Sequence, residues 1–382
     1  MFVESLRGQA AVVGIGLSEF GIVPGYTHFE LMAQAVDRAL TDAGLKKSDI
    51  DGVFAAIEPA NLPVVMTCEY LGIRPKVIEG TMLGGSSFLN FLQWAALALQ
   101  ARLCNVALIA YGSNARSGGI RPGGFTPIPY EVNYGARLVS AYALSAARHM
   151  HEYGTTREQL AQVAVAARAW ARKNPKALMR DPLTTEDVLR SRMVSDPLTV
   201  LDCCLVTDGG GAVIMTRADR AKDHCTKPIY LLGVAAEISH QHIAQMENLT
   251  VTAAAHSGPR AFAMAGMNPS DIDVLALYDA FSINTILFLE DLGYCRKGEG
   301  GAFVTDGRIA PGGTLPVNTN GGGLSCVHPG MYGIFTIIET IMQLRGAAEE
   351  RQVRDAKVGL AHGNGGSLST QVTSVFGTAD VL

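Results

Sequence analysis

One segment of this chain occurs twice. Ala39-Leu40-Thr41-Asp42-Ala43-Gly44-Leu45, then Ser48-Asp49-Ile50-Asp51-Gly52-Val53, returns as Ala261-Phe262-Ala263-Met264-Ala265-Gly266-Met267, then Ser270-Asp271-Ile272-Asp273-Val274-Leu275. The offset is constant, since Gly44 to Gly266 and Asp49 to Asp271 are each 222 positions apart. In both copies the spacing predicts a helix ending at a glycine just past its last turn, a short polar link and an apolar strand. A strand-like run precedes each copy, Ala10 to Gly16 and Ile229 to Val234. A strand, helix, strand unit made twice implies two similar α/β halves.

The later elements repeat in the same order. Gly84-Gly85-Ser86-Ser87 opens an apolar helix from Phe88 to about Arg102, followed by a strand from Val106 to Ala110. Gly321-Gly322-Gly323 leads to a helix from Ile334 to Arg345 and a strand from Lys357 to Ala361. The expected division is therefore an N-terminal half over 1–228, with an insertion over about 113–195, and a C-terminal half over 229–382. Within the insertion, Ser113 to Pro129 is rich in glycine and proline and reads as loop, whereas Arg157 to Lys173 is an alanine-rich helix. Such an insertion is placed to cover a site.

With 48% hydrophobic and 17% charged residues, 382 positions suffice for two cores in a globular chain. A net charge of -4 with scattered basic residues leaves no electrostatic footprint for nucleic acid. The start, Met1-Phe2-Val3-Glu4-Ser5, lacks a basic region leading into an apolar one, and no window approaches the roughly 18 apolar residues of a membrane span. A cytoplasmic protein is the expectation. The seven cysteines form no CxxC pair, and Cys203-Cys204 are adjacent, so reduced thiols with no disulfide framework and no metal site are expected.

Glycine turns at Gly84-Gly85, Gly321-Gly322-Gly323 and Gly363-Asn364-Gly365-Gly366 fall at helix or strand ends, where backbone N–H groups can face an anion or developing oxyanion. Gly84, Gly85, Ser86, Gly322 and Gly365 are therefore the candidate substrate-binding positions. None of these turns is a P-loop, and Gly14-Ile15-Gly16 lacks the third glycine of a dinucleotide fingerprint.

A resemblance then becomes specific. Asp181-Pro182-Leu183-Thr184, Ser195-Asp196-Pro197-Leu198 and the run Leu201 to Ala212 are similar to the sterol-carrier-protein-type thiolases. Tyr278-Asp279-Ala280-Phe281-Ser282, Gly298-Glu299-Gly300-Gly301 and Asn318-Thr319-Asn320-Gly321-Gly322 extend the likeness over nearly the whole chain. It implies the duplicated thiolase fold, a five-layered α-β-α-β-α sandwich, generally dimeric, acting on acyl-coenzyme A as substrate with no further cofactor.

The chain departs from that pattern at its centre. These thiolases carry their nucleophilic cysteine just before the turn that opens the buried helix, and Thr81-Met82-Leu83-Gly84-Gly85-Ser86-Ser87 contains none. An acyl-enzyme needs a thiolate, which neither methionine nor glycine supplies. His328, in His328-Pro329-Gly330-Met331-Tyr332, resembles the thiolase histidine that donates to the thioester oxygen, although Val327 precedes it in place of glycine. His362 falls where thiolases place a second acid/base. Tyr278 replaces the usual Asn or His of its motif, Tyr332 sits in the His-Pro loop, and Tyr294 follows nearby.

Phenols and a histidine without a thiolate suit retro-aldol cleavage of a β-hydroxyacyl-CoA, in which a ketone or aldehyde leaves an acyl-CoA enolate to be protonated. Within the superfamily the chain most resembles the cysteine-less aldolases of steroid side-chain degradation. That likeness assigns acid/base roles to the phenols and implies a small DUF35-type OB-fold partner, giving a heterotetramer. An acyltransferase with a relocated cysteine, Cys326 beside His328, is the second reading, and a non-catalytic thiolase-like subunit the third.

Overall fold

The computed structural model describes residues 6–57, 61–119, 131, 133–135, 137–224 and 227–382. Residues 120–129 of the expected loop lie outside it. Strand β1 (Ala10–Leu17) leads to helix α1 (His28–Ala43), opened by Thr27, whose hydroxyl accepts from the Glu30 N–H. Then follow β2 (Gly52–Ala55), the edge strand β3 (Val77–Glu79), α2 (Ser87–Gln100) and β4 (Val106–Ser113). The insertion adds α3 (Leu138–Tyr153) and α4 (Arg157–Ala171) before β5 (Gly209–Arg217). The second half runs β6 (Ile229–Ile238), α5 (Ala254–Ala265), β7 (Val274–Leu277), α6 (Ser282–Asp291), α7 (Gly333–Arg345), β8 (Val358–Gly365) and β9 (Thr370–Gly377).

The duplication extends to single hydrogen bonds. Gly44 and Gly266 end α1 and α5 in the left-handed conformation, φ 63° and 64°, which a side chain would oppose. Asp51 then accepts from the N–H groups of Asn105 and Val106 at 2.7 and 2.9 Å, bracing the start of β4. Asp273, 222 positions later, accepts from Lys357 and Val358 at 2.8 and 2.9 Å and braces β8 in the same way.

Sheet topology repeats as well. The strand order is β3-β2-β4-β5-β1-β6-β9-β8-β7. β2 runs parallel to β4, which is antiparallel to β5, which is antiparallel to β1. Likewise β7 is parallel to β8, which is antiparallel to β9, which is antiparallel to β6. Only Ala11–Tyr230 and Val12–Ile229 join β1 to β6, so the ladder is two sheets meeting at a corner. Helices α2 and α7 touch strands of both sheets, while α1 covers the outer face of one and α5 that of the other. These are the five layers α-β-α-β-α. Sandwiched on two sides, α2 buries Phe88, Leu89, Phe91 and Leu92 completely, which explains a helix apolar nearly all round.

If the two aspartates are equivalent braces, Asp273→Ala and Asp51→Ala each leave two N–H groups without their acceptor. Each is expected to lower unfolding stability by about 1–3 kcal/mol in denaturant titration.

Candidate active site

The loop carrying His328 belongs to the C-terminal half, but the N-terminal half holds it. Thr207 accepts the His328 N–H at 3.1 Å and donates its own N–H to the His328 carbonyl at 3.2 Å. Tyr111, at the end of β4, donates its hydroxyl to the Pro329 carbonyl and accepts the Met331 N–H at 3.1 Å. From the same half as the loop, Tyr278 accepts the Tyr332 N–H at 3.0 Å and donates to the Gly330 carbonyl at 3.3 Å.

This clamped loop forms one wall of a cleft of about 880 Å³. Met82, Gly84 and Gly85 at the start of α2, Leu138 and Tyr142 of α3, Cys204 to Val206, the end of β6, Tyr278, His328 and Asn364 to Gly366 complete it. Tyr278 stands so close to the α2 turn that a Cβ at Gly85 would lie 2.0 Å from its ring, so only glycine fits there. The His328 ring meets the Tyr278 ring edge to face at 5.5 Å. His328 Nε2 is buried without a hydrogen-bond partner among the described residues. Burial pushes its pKa down to about 4, so at neutral pH the imidazole is uncharged. A neutral ring in the wall of a cleft, with its Nε2 unpartnered among the described residues, can donate to an oxygen in the tautomer that carries the proton on Nε2.

The structure separates the other candidates. Of the glycine-turn residues, Gly84, Gly85 and Gly365 line the cleft, but Ser86 and Gly322 do not. Ser86 is fully buried and spends its hydroxyl on the Leu83 carbonyl and Thr370. Gly322 gives its N–H to Asn320 Oδ1 at 2.8 Å, and Asp279 takes those of Gly323 and Leu324, so that turn is saturated internally. Tyr332 is buried with its hydroxyl on Asn320 Oδ1 at 3.0 Å, away from the cleft. Its contribution is the backbone N–H that meets the Tyr278 oxygen.

His362 is a correction of a different kind. β8 runs on to Gly365, past the position where the sequence reading placed a turn, so His362 is a mid-strand side chain. Its nitrogens are taken by Thr373 at 3.0 Å and Gln371 at 2.9 Å, and it packs edge-on against Phe288. It has no free atom for substrate. Tyr294 lies beyond the C-terminus of α6, outside the cleft, with its hydroxyl buried and unpartnered among the described residues.

The cysteines also rearrange. Cys326 is buried on the far side of its loop, beside Glu339 and Asn174, in a separate pocket of about 50 Å³. Cys204 is the cleft's thiol, which the sequence reading did not single out. Burial, reinforced by Cys203 and Asp279, pushes it well above the ordinary thiol range, so the thiolate that acyl transfer needs is disfavoured. Also unforeseen was Asp279, whose carboxyl burial lifts to about 7 while it holds the Gly321–Gly323 turn. Tyr142 and Asn364 complete the polar wall. Asn364 and Asp279 stood inside quoted motifs, but nothing in the sequence marked Tyr142.

Two outcomes follow from this geometry. Gly85→Ala must displace the Tyr278 ring and is expected to cost about 1–3 kcal/mol of stability together with most of the activity, measured by thermal melts and turnover. Because His328 is neutral down to about pH 4, the pH profile of kcat/KM should show no inflection near the ordinary imidazole value of about 6.5. An acid limb near 6.5 that persists in Asp279→Asn would mean a charged His328.

A thiolase C-terminal domain-like family model matches residues 235–378. An acetyl-CoA acetyltransferase of Methanothermobacter thermautotrophicus is 34% identical over 96% of this chain and 99% of its own. A steroid side-chain-cleaving aldolase of Thermomonospora curvata is 34% identical over 90% of this chain and 92% of its own. Among solved structures, an Ltp2–ChsH2(DUF35) aldolase superposes with a TM-score of 0.90 at 31% identity, covering 98% of both chains. With relatives this similar over nearly its full length, and with two halves built alike around the cleft, the chain belongs to the thiolase superfamily.

Proposed function

We propose that this protein is an acyl-CoA-dependent carbon–carbon lyase that cleaves a bulky β-hydroxyacyl-CoA by retro-aldol chemistry. The observation that carries the reading is the vacant, neutral His328 Nε2 beside the Tyr278 phenol, in a cleft whose single described thiol is held protonated. His328 would donate to the thioester oxygen as the enolate forms. The hydroxyl proton leaves the β-carbon oxygen, the Cα–Cβ electrons pass into the enolate, and a proton returned to Cα gives the shorter acyl-CoA beside a ketone or aldehyde. Tyr278, protonated at rest, is the phenol placed to hand its own proton to Cα and take the hydroxyl proton in its place, with the Tyr332 N–H favouring its oxyanion in passing.

The lyase among its relatives acts on steroid side chains by name, and the size of the cleft suits such an acyl group. Its rim is apolar, with Met82, Val206 and Ile238 each more than a third exposed. The structural neighbour is a complex with a DUF35 protein, which supports a small OB-fold partner for this chain too. A homodimer is assigned to the edge of the N-terminal sheet. There β3 has one strand neighbour and Ile78 is exposed, as are Leu62, Val65, Met66 and Tyr70 in the segment that precedes the strand.

The test is product analysis by mass spectrometry on a panel of β-hydroxyacyl-CoA thioesters, with and without a DUF35-type partner. A shorter acyl-CoA plus a carbonyl product should form, Cys204→Ala should retain the activity, and His328→Ala should lose about 10²–10³-fold in kcat. Loss in Cys204→Ala with an intact fold would install the acyltransferase instead. Ile78→Lys is expected to yield monomers by light scattering, and an unchanged dimer would move the interface elsewhere.

A further inference from the structure

Two phenols hold the His328 loop, and the reaction releases one of them. Tyr278 donates to the Gly330 carbonyl at 3.3 Å and accepts the Tyr332 N–H at 3.0 Å. To hand its proton to Cα, the Tyr278 O–H must turn from that carbonyl into the cleft, so the loop loses a bond at the moment His328 is needed at the thioester oxygen. The residue released is a glycine at φ 94°, the position about which the loop turns most easily. Tyr111 grips the loop on both sides of it, donating to the Pro329 carbonyl and accepting the Met331 N–H at 3.1 Å. This second phenol comes from β4 of the other half. It is 1% exposed and does not line the cleft, so it takes no part in the proton exchange.

We infer that Tyr111 is a positioning residue, which keeps the His328 loop in place while Tyr278 exchanges its proton. The inference rests on the lyase reading of the cleft and adds how the donor to the thioester oxygen stays fixed through the step. Packing alone does not require the Tyr111 hydroxyl. The Phe88 ring, 5.0 Å away, already seats the Tyr111 ring, and a phenylalanine would fill the same space. It would leave the Pro329 carbonyl and the Met331 N–H, on two buried residues, without this partner. Thr207 holds the loop before Gly330, at His328 itself, through both its N–H and its hydroxyl. After the glycine, where Tyr332 leads into α7, Tyr111 fixes Met331. Two side chains of the same chemistry thus take different parts: one reacts with the substrate and the other is kept from it.

Two measurements test it. In cleavage of a β-hydroxyacyl-CoA, Tyr111→Phe should lower kcat about tenfold, the effect of losing one hydrogen bond in the transition state. Calorimetric binding of a β-hydroxyacyl-CoA analogue, with an amide in place of the thioester, reads the loop without cleavage. There Tyr111→Phe should change the affinity by less than about twofold in the wild-type background, where Tyr278 still holds Gly330, and roughly tenfold in a Tyr278→Phe background, where that bond is gone. An unchanged kcat, or the same loss of affinity in both backgrounds, overturns the inference, because a merely structural role would weaken both alike. Should Tyr111→Phe fail to fold in either background, Phe88→Leu, which loosens the seat of the phenol, takes its place in both measurements, and an unchanged kcat again overturns the inference. The lyase reading is scored separately: no cleavage by the wild type, together with the difference between backgrounds, sinks the lyase and leaves Tyr111 standing, and cleavage with equal losses does the reverse.

Discussion

The two halves approach each other backbone to backbone at the turn that opens α2, and the cleft exists because of that closeness. A Cβ at Gly365 would lie 1.8 Å from the Leu83 carbonyl, and one at Gly333 would lie 1.9 Å from the Gly85 carbonyl. Three glycine positions from two halves, Gly85, Gly333 and Gly365, thus form one seam. Without side chains in the way, Tyr278 of the second half reaches over the helix start of the first, and Thr207 and Tyr111 of the first half reach the His328 loop of the second. Each half supplies what the other cannot, which is why a duplicated fold yields a single cleft with different walls.

Burial at this seam sets the electrostatics. It keeps His328 uncharged, holds the Tyr278 and Tyr142 phenols protonated, and keeps the Cys204 thiol from ionising. The cleft therefore works with neutral donors and acceptors in a low dielectric, where each directed hydrogen bond to a developing enolate counts for more than in water. The buried Asp279 carboxyl does not line the cleft and is spent on the Gly323 and Leu324 amides. A site of this kind favours charge that develops on the substrate over charge stored on the protein.

The fold was legible because its signal is local and repeated. Glycine after a helix and aspartate before a strand report on their own few neighbours, and both recur at Gly44 and Gly266 and at Asp51 and Asp273. The cleft was legible only in part. His328 and Tyr278 were found through motifs and do line it, whereas His362 was misplaced because β8 runs four residues beyond its apolar core, with glycines that read as a turn. Tyr332 acts through its backbone N–H, which no residue type announces. Tyr142 comes from the insertion, which has no counterpart in the second half, so neither the repeat nor a motif could point to it. In sequence Cys326 is the cysteine beside His328, but the structure puts Cys326 behind the loop and Cys204 in front of it.

The central claim is that this thiolase fold works on its thioester without ever holding the acyl group covalently. Intact-protein mass spectrometry after acid quench, during turnover with a saturating acyl-CoA substrate, measures this most directly. The account predicts a single species at the unmodified mass at every time point. A population heavier by one acyl group, mapped to Cys204 or any other cysteine and chased by added coenzyme A, would contradict it.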